Sequence, residues 1–261
     1  MQLSLEGKNA VICGSSQGIG LAIAEELALL GANCTLMARN EASLKAAVKT
    51  LDVTLRQQHN YLVADFTKTD EVKQAIQQHV QQHPVHILIN NTGGPAPGSV
   101  LDATEEVFVQ AFNQHLIVNQ LLVQAVIPSM KAAHYGRIIN IISTSIRIPI
   151  TGLAVSGTVR GAVAVWSKIL ANEVGQFNIT VNNILPGSTR TQRLESLIQN
   201  NAKKRGVSTE AIEHEMQQEI PMKRFGEAAE LAAVAAFLAS PAASYVNGVS
   251  IPVDGGKTGS L

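Results

Sequence analysis

Residues 8–31 read KNAVICGSSQGIGLAIAEELALLG: a short apolar strand, a turn carrying Gly14, Gly18 and Gly20, and then a segment with apolar positions at helical spacing. This order places a loop made of backbone alone at the N-terminus of a helix, where free N–H groups and the helix dipole favour an anion. Gly14 permits the tight turn off the strand, Gly18 removes the Cβ that would block a pyrophosphate, and Gly20 lets the helix pack close to the sheet. A glycine pattern alone is weak evidence; the flanking strand and helix turn it into an expectation of a dinucleotide site. The plainer alternative, a strand-to-helix turn without a ligand, leaves three conformationally costly glycines unexplained.

The chain has 261 residues, 46% of them hydrophobic, which suffices for a full core and predicts one α/β domain over 1–261 rather than two small ones. Lys plus Arg and Asp plus Glu both number 20, so nothing points to nucleic acid or an anionic membrane surface. The expected partner is a small molecule or another copy of the chain. No apolar run approaches the ~18 residues of a membrane span, and MQLSLEGK has neither the charged start nor the apolar stretch of a secretory signal, so a cytoplasmic location is expected. Cys13 and Cys34 fall at strand ends and read as small core residues; no spacing suggests a metal site.

Strand and helix signals then alternate. Strands are predicted at Asn33–Ala38, Tyr61–Phe66, Val85–Asn91, Arg137–Ser143 and Ile179–Gly187. Helices are predicted from about Glu41, from about Thr69, over Thr104–Met130 and over Ser156–Phe177. Apolar runs without polar alternation indicate strands buried on both faces, hence a parallel sheet covered by helices and, with right-handed crossovers, a doubly wound α/β fold. Thr189–Pro221 breaks the rhythm: it is polar and too long for a simple connection. Beside the carboxyl ends of the strands it reads either as a mobile substrate lid or as a solvated pair of helices.

These residues resemble the short-chain dehydrogenase/reductase family across essentially the whole chain. The resemblance is carried by GSSQGIG at 14–20, NNTGG at 90–94, RIINIIS at 137–143, ITVNNILPG at 179–187 and VNGVSIPVDGG at 246–256. It implies a Rossmann-type dinucleotide site lined by Gly14, Ser15, Ser16, Gln17, Gly18, Ile19 and Gly20. By the same similarity Asp65 and Phe66 lie near the adenine, and Asn91, Thr92 and Gly93 line the cofactor beyond the fourth strand. Pro186 and Gly187, which open the PGxxxT pattern, and Thr191, its last position, lie at the nicotinamide end. A homotetramer is also implied, with the long helices and the segment Gly248–Gly256 meeting their counterparts across two-fold axes.

Cofactor choice is argued at the end of the second strand. An acid there would accept from the ribose hydroxyls of NAD and repel a 2′-phosphate. Here Ala38 is followed by Arg39, whose guanidinium offers paired donors to phosphate, so NADP(H) is expected in preference to NAD(H). Arg39 as an ordinary surface arginine is the alternative, since Gln17 adds no second positive charge.

The resemblance breaks at the chemistry. The family's YxxxK motif falls on Ser156 and Arg160, in a helix whose continuation GAVAVWSKILANEV keeps the family's register, and the family's asparagine falls on His115. Of the four expected groups only Ser143 is retained. A phenol of reference pKa near 10 can be lowered by an adjacent cation until it passes a proton at neutral pH; an aliphatic hydroxyl is a far weaker acid, and Arg160 stays protonated. Arg160 is still suited to hold the nicotinamide ribose. Tyr61, Tyr135 and Tyr245 precede or begin strands, at the edge opposite the cofactor. His115 could supply the proton as an imidazolium if it faces Ser143, or it could be a hydrogen-bonded interior or interface histidine.

Two functions follow. One is an NADP-dependent oxidoreductase resembling a divergent branch similar to 3-oxoacyl-[acyl-carrier-protein] reductases, acting on a carbonyl or alcohol and possibly on an acyl thioester. The other is a catalytically weak or inactive NADP-binding sensor or partner subunit.

Overall fold

The computed structural model describes residues 1–260; Leu261, the end of the expected 1–261 domain, lies outside them. Seven strands form one parallel sheet: β1 (Asn9–Cys13), β2 (Asn33–Ala38), β3 (Asn60–Val63), β4 (Ile87–Asn90), β5 (Gly136–Ile141), β6 (Ile179–Pro186) and β7 (Ser250–Val253). Their order is β3-β2-β1-β4-β5-β6-β7, so the winding reverses between β1 and β4 and opens a crevice at the carboxyl edge there. This is the doubly wound, Rossmann-type arrangement that the alternating signals predict.

Successive residues of each strand enter opposite cores. Ile12, Leu36, Ile87, Ile139 and Ile184 pack with α1 (Gly18–Leu29), α2 (Glu41–Val48) and α9 (Ala228–Ala239). Val11, Met37, Leu88, Ile138 and Val181 pack with α3 (Thr69–Val80), α5 (Val118–Ala132) and α6 (Ala154–Val174). Burial on both faces is why the strand sequences lack polar alternation.

The exceptions are asparagines, and the register explains them. Asn90, Asn140, Asn183 and Ser250 stand side by side on β4 to β7. Asn90 Nδ2 donates to Asn140 Oδ1 at 2.8 Å, Asn140 Nδ2 to Asn183 Oδ1 at 2.9 Å, and Asn183 Nδ2 to Ser250 Oγ and to Ser167 Oγ on α6. The three amides are thereby joined in one row, the pairing under which buried polar groups are tolerated, and Asn90 Oδ1 alone among their side-chain atoms is left buried without a partner.

Several boundaries differ from the sequence reading. β3 stops at Val63 because, as an edge strand, it has one neighbour, and the chain turns at Asp65, whose carboxylate accepts from Thr67 N at 2.9 Å and Thr67 Oγ1 at 2.8 Å. The expected helix Thr104–Met130 is divided: α4 (Glu105–Phe112) runs into a π-helical turn, Asn113–Ile117, before α5. The helix at Ser156 begins two residues earlier, at Ala154, and ends in a 3₁₀ turn over Gly175–Phe177. Tyr61 does begin a strand: it is the second residue of the edge strand β3, pairs with Leu36 on β2, and its hydroxyl donates to Glu41 Oε1 on α2 at 3.0 Å, four strands from β5. Tyr135 and Tyr245 do precede β5 and β7.

The polar stretch 189–221 contains α7 (Gln192–Arg205) and α8 (Thr209–Gln218). They share a small core of Leu194, Ile198, Ile212, Ile220 and Phe225, separate from the cores of the sheet. No helix among the described residues is long and apolar enough to cross a membrane.

Candidate active site

The glycine turn leaves β1 with Gly14 at φ +57° and Gly18 at φ +60°, the left-handed region in which glycine is at no steric disadvantage. A Cβ at Gly14 would run into the Asn91 carbonyl oxygen, and one at Gly20 into the Gly14 carbonyl oxygen. Gly20 therefore serves close packing, as expected. A Cβ at Gly18 would meet only Thr191 Cγ2 at 3.6 Å, and one at Gly93 would meet nothing within 4 Å, so both face open space. An open, Cβ-free cradle before α1 fits a pyrophosphate.

Ser15 takes a different role from the one expected. Its hydroxyl donates to Ile12 O at 2.6 Å and accepts from Met37 N at 3.1 Å, tying β1 to β2 in the interior. Its side chain is thus committed to the fold; Ser16, Gln17 and Ile19 remain partly or fully exposed along the turn. Asn91 is likewise partly structural, Nδ2 donating to Cys13 O at 3.3 Å and Gly14 O at 3.2 Å. At the end of β2 Arg39 is exposed after buried Ala38, and it helps Thr67 hold the Asp65 carboxyl below the usual range. Phe66 belongs to the core.

The opposite end of the crevice gathers β4, β5, β6 and the helices that follow them. Ser143 caps a 3₁₀ turn over Thr144–Ile146, Oγ accepting from Ser145 N at 3.1 Å. Ser156 and Arg160 sit one turn apart on α6, and Arg160 Nε donates to Ser156 Oγ at 3.2 Å. Arg160 Nη1 crosses to the end of β5 and donates to Ile141 O at 3.0 Å and Ile142 O at 2.8 Å. Burial first, and Arg193 second, push the Arg160 pKa down to about 10, which leaves it charged at neutral pH. Gly187 donates its N–H to Val253 O at 3.0 Å, fixing the Pro186–Gly187 corner, and Thr191 caps α7.

His115 lies within the π-helical turn, where the extra residue per turn re-aims a side chain relative to an α-helix. Its Nδ1 pairs with Thr92 Oγ1 at 2.7 Å, and Nε2 is buried without a partner. Burial, then Arg160 and Arg193, push its pKa down to about 3. Of the two sequence readings, this environment favours the hydrogen-bonded interior histidine: burial disfavours the imidazolium, and Nε2 carries a proton only in the tautomer whose Nδ1 accepts from Thr92 Oγ1. Arg193 was not anticipated. It leaves the first turn of α7 and donates to Gly94 O at 3.0 Å and Pro95 O at 3.3 Å, in a stretch whose sequence signals only an exposed polar helix.

A doubly wound parallel sheet with a Cβ-free glycine turn at its switch point defines a dinucleotide-binding α/β protein, and the chain belongs to the short-chain dehydrogenase/reductase family, NAD(P)-dependent oxidoreductases acting on carbonyl and alcohol groups. A family model described as enoyl-(acyl carrier protein) reductase matches residues 14–258. Among its relatives, 3-oxoacyl-[acyl-carrier-protein] reductase FabG of Pseudomonas aeruginosa is 34% identical over 257 residues, covering 97% of this chain and 98% of the relative. NADPH-dependent reductase BacG of Bacillus subtilis is 30% identical over 256 residues, covering 97% and 99%. The L-sorbose reductase of Gluconobacter frateurii, solved with NADPH and L-sorbose, superposes with a TM-score of 0.94 at 30% identity and full coverage of both chains.

Proposed function

We propose that the protein is an NADP(H)-dependent oxidoreductase that interconverts a carbonyl and an alcohol, with weak activity toward 3-oxoacyl thioesters. The observation that carries this reading is the convergence, at one sheet edge, of the open glycine cradle with Ser143, Ser156, Arg160 and His115. Arg39, exposed behind an uncharged Ala38, favours the 2′-phosphate, and NADPH in the L-sorbose reductase structure and in the name of BacG accords with it. The cradle 14–20, Arg39, Asp65, Asn91, Gly93 and Pro186–Gly187 would hold the nucleotide. When bound, it supplies the hydride. Ser143 orients the substrate oxygen, the Arg160 cation and the His115 ring, in the tautomer that protonates Nε2, stabilise the charge that develops there, and solvent supplies the proton that completes the alcohol.

The described chain acts in this reading as one domain, with 189–221 as a lid that closes over the crevice through Thr191 and Arg193. A cytoplasmic homotetramer fits the exposed apolar residues of two long helices, Val109 and Phe112 on α4 and Val165 and Ile169 on α6.

The test is NADPH binding by fluorescence together with NADPH consumption across small carbonyl compounds and 3-oxoacyl thioesters. Oxidation of NADPH with any of them supports the reading. Tight binding with no turnover would instead make the protein an NADP-binding sensor or partner subunit, and no binding would remove the reading altogether.

A further inference from the structure

Three basic side chains gather at the Gly93–Gly94 turn without an acid among them. Arg160 has Nε and Nη1 committed to Ser156 and to the carbonyls of Ile141 and Ile142, while Nη2 has no hydrogen-bond acceptor among the described residues. That free arm lies 3.2 Å from where a Cβ on Gly94 would stand. Arg193 Nη2 and Nη1 approach the same point at 3.0 and 3.1 Å from the lid side. His115, close enough to feel both guanidinium charges, keeps a buried Nε2 with no partner.

The other arginines of the lid behave differently. Arg190 pairs with Glu213 and Glu227, and Arg205 with Glu215. Arg160 and Arg193 form no ion pair among the described residues. Two guanidinium groups that flank one glycine repel each other, and the buried one has exchanged hydration for neutral acceptors only, one hydroxyl and two carbonyls. A carboxylate offers what is missing. It is planar, takes two parallel N–H donors, and makes charge-assisted bonds roughly twice as strong as those to neutral acceptors. It would displace the Gly94 and Pro95 carbonyls from Arg193 and engage Arg160 Nη2, and the absence of a side chain at Gly94 is what lets both guanidiniums come this close to the turn.

We propose that Arg193, the free arm of Arg160 and the Gly93–Gly94 turn form a carboxylate subsite beside Ser143, so that the substrate is a small carboxylic acid bearing its reducible carbonyl near the carboxylate. This rests on the oxidoreductase reading above and narrows its substrate class. It also gives a reason to expect weak turnover of 3-oxoacyl thioesters, in which a neutral thioester stands near the reducible 3-oxo group in place of a carboxylate.

The experiment is calorimetric titration of oxalate into the protein saturated with NADP⁺, with oxamide as the neutral counterpart. Oxalate is expected to bind and oxamide not. Arg193→Gln should weaken oxalate by roughly tenfold or more, the scale of one lost charge-assisted hydrogen bond, with NADP⁺ affinity changed less than about twofold. Gly94→Ala, which keeps both charges but pushes the two guanidiniums away from the turn, should weaken oxalate as well. Equal affinity for oxalate and oxamide, oxalate binding unaffected by both substitutions, or displacement of NADP⁺ by oxalate would each overturn the subsite; the last would assign the arginines to cofactor phosphates. Tighter binding of inorganic phosphate than of oxalate would overturn the carboxylate assignment. Failure of NADP⁺ itself to bind would strike the underlying reading, and this inference with it.

Discussion

Arg160 Nε donates to Ser156 Oγ at 3.2 Å, so the two residues onto which the family's YxxxK motif is expected to fall are joined to each other across one turn of α6. The hydroxyl therefore already serves as an acceptor for a cation, and the guanidinium braces the end of β5 through Ile141 and Ile142. Neither group is a proton donor of matched pKa at neutral pH.

The unaltered protein is accordingly expected to reduce 3-oxoacyl thioesters slowly, since a missing positioned acid typically costs about 10²–10⁴-fold. Ser156→Tyr combined with Arg160→Lys should raise kcat by roughly tenfold or more on the same scale. Brisk turnover by the unaltered protein would defeat this argument. His115→Ala would then decide: collapse of the rate with NADPH affinity intact identifies the His115 ring as the group that stabilises the substrate oxygen, and an unchanged rate points to solvent or the substrate itself.

Cofactor preference is expected to reside in one exposed side chain. Arg39→Ala should weaken NADPH by about 1.5–3 kcal/mol, the value of a charge-assisted hydrogen bond, and leave NADH nearly unchanged. Equal losses for both nucleotides in calorimetry would make Arg39 a structural residue.

Acid stability should carry the signature of two buried neutral histidines. Burial pushes His115 down to about 3 and, with His83 adding a smaller effect, His79 down to about 4. Between these values and the unfolded pKa near 6.5 the unfolded chain binds protons that the folded chain does not. Stability is thus full above about pH 6.5 and falls as pH drops, by at most about 1.4 kcal/mol per pH unit for each group. Denaturant midpoints measured from pH 7 to 5 should decline, and His115→Asn should flatten the decline; an identical slope in the variant would contradict the assignment.

Asn140 stands in the middle of the polar row through the sheet. Asn140→Leu conserves most of the volume but leaves Asn90 Nδ2 and Asn183 Oδ1 without their partners, and is expected to cost about 2–5 kcal/mol of stability. A loss below about 0.5 kcal/mol in urea unfolding would show that the row is dispensable.

Light scattering at micromolar concentration is expected to give a tetramer. Val165→Glu with Ile169→Glu, placed on the exposed apolar side of α6, should lower the mass to that of a smaller species. A monomeric mass for the unaltered protein would dispose of the oligomer.

The relation between sequence and structure differs from one feature to the next. The β1–turn–α1 unit and the bounds of β2 are legible in the residues because they depend on local backbone freedom and on an apolar run buried on both faces. The spacing of Ser143, Ser156 and Arg160 is equally local: a strand end and one helical turn place them together. Only the tertiary structure decided what those groups can do. Ser15 lies in the expected glycine turn, yet its hydroxyl serves Ile12 and Met37. His115 is an ordinary histidine in sequence, and only enclosure beside two guanidiniums makes it neutral. Arg193 reaches Gly94 across 99 residues of chain, a contact that no periodicity encodes. Backbone preference acts over a few residues and can be read from them, whereas desolvation, charge coupling and the direction of a side chain arise from elements that meet only when the chain is folded.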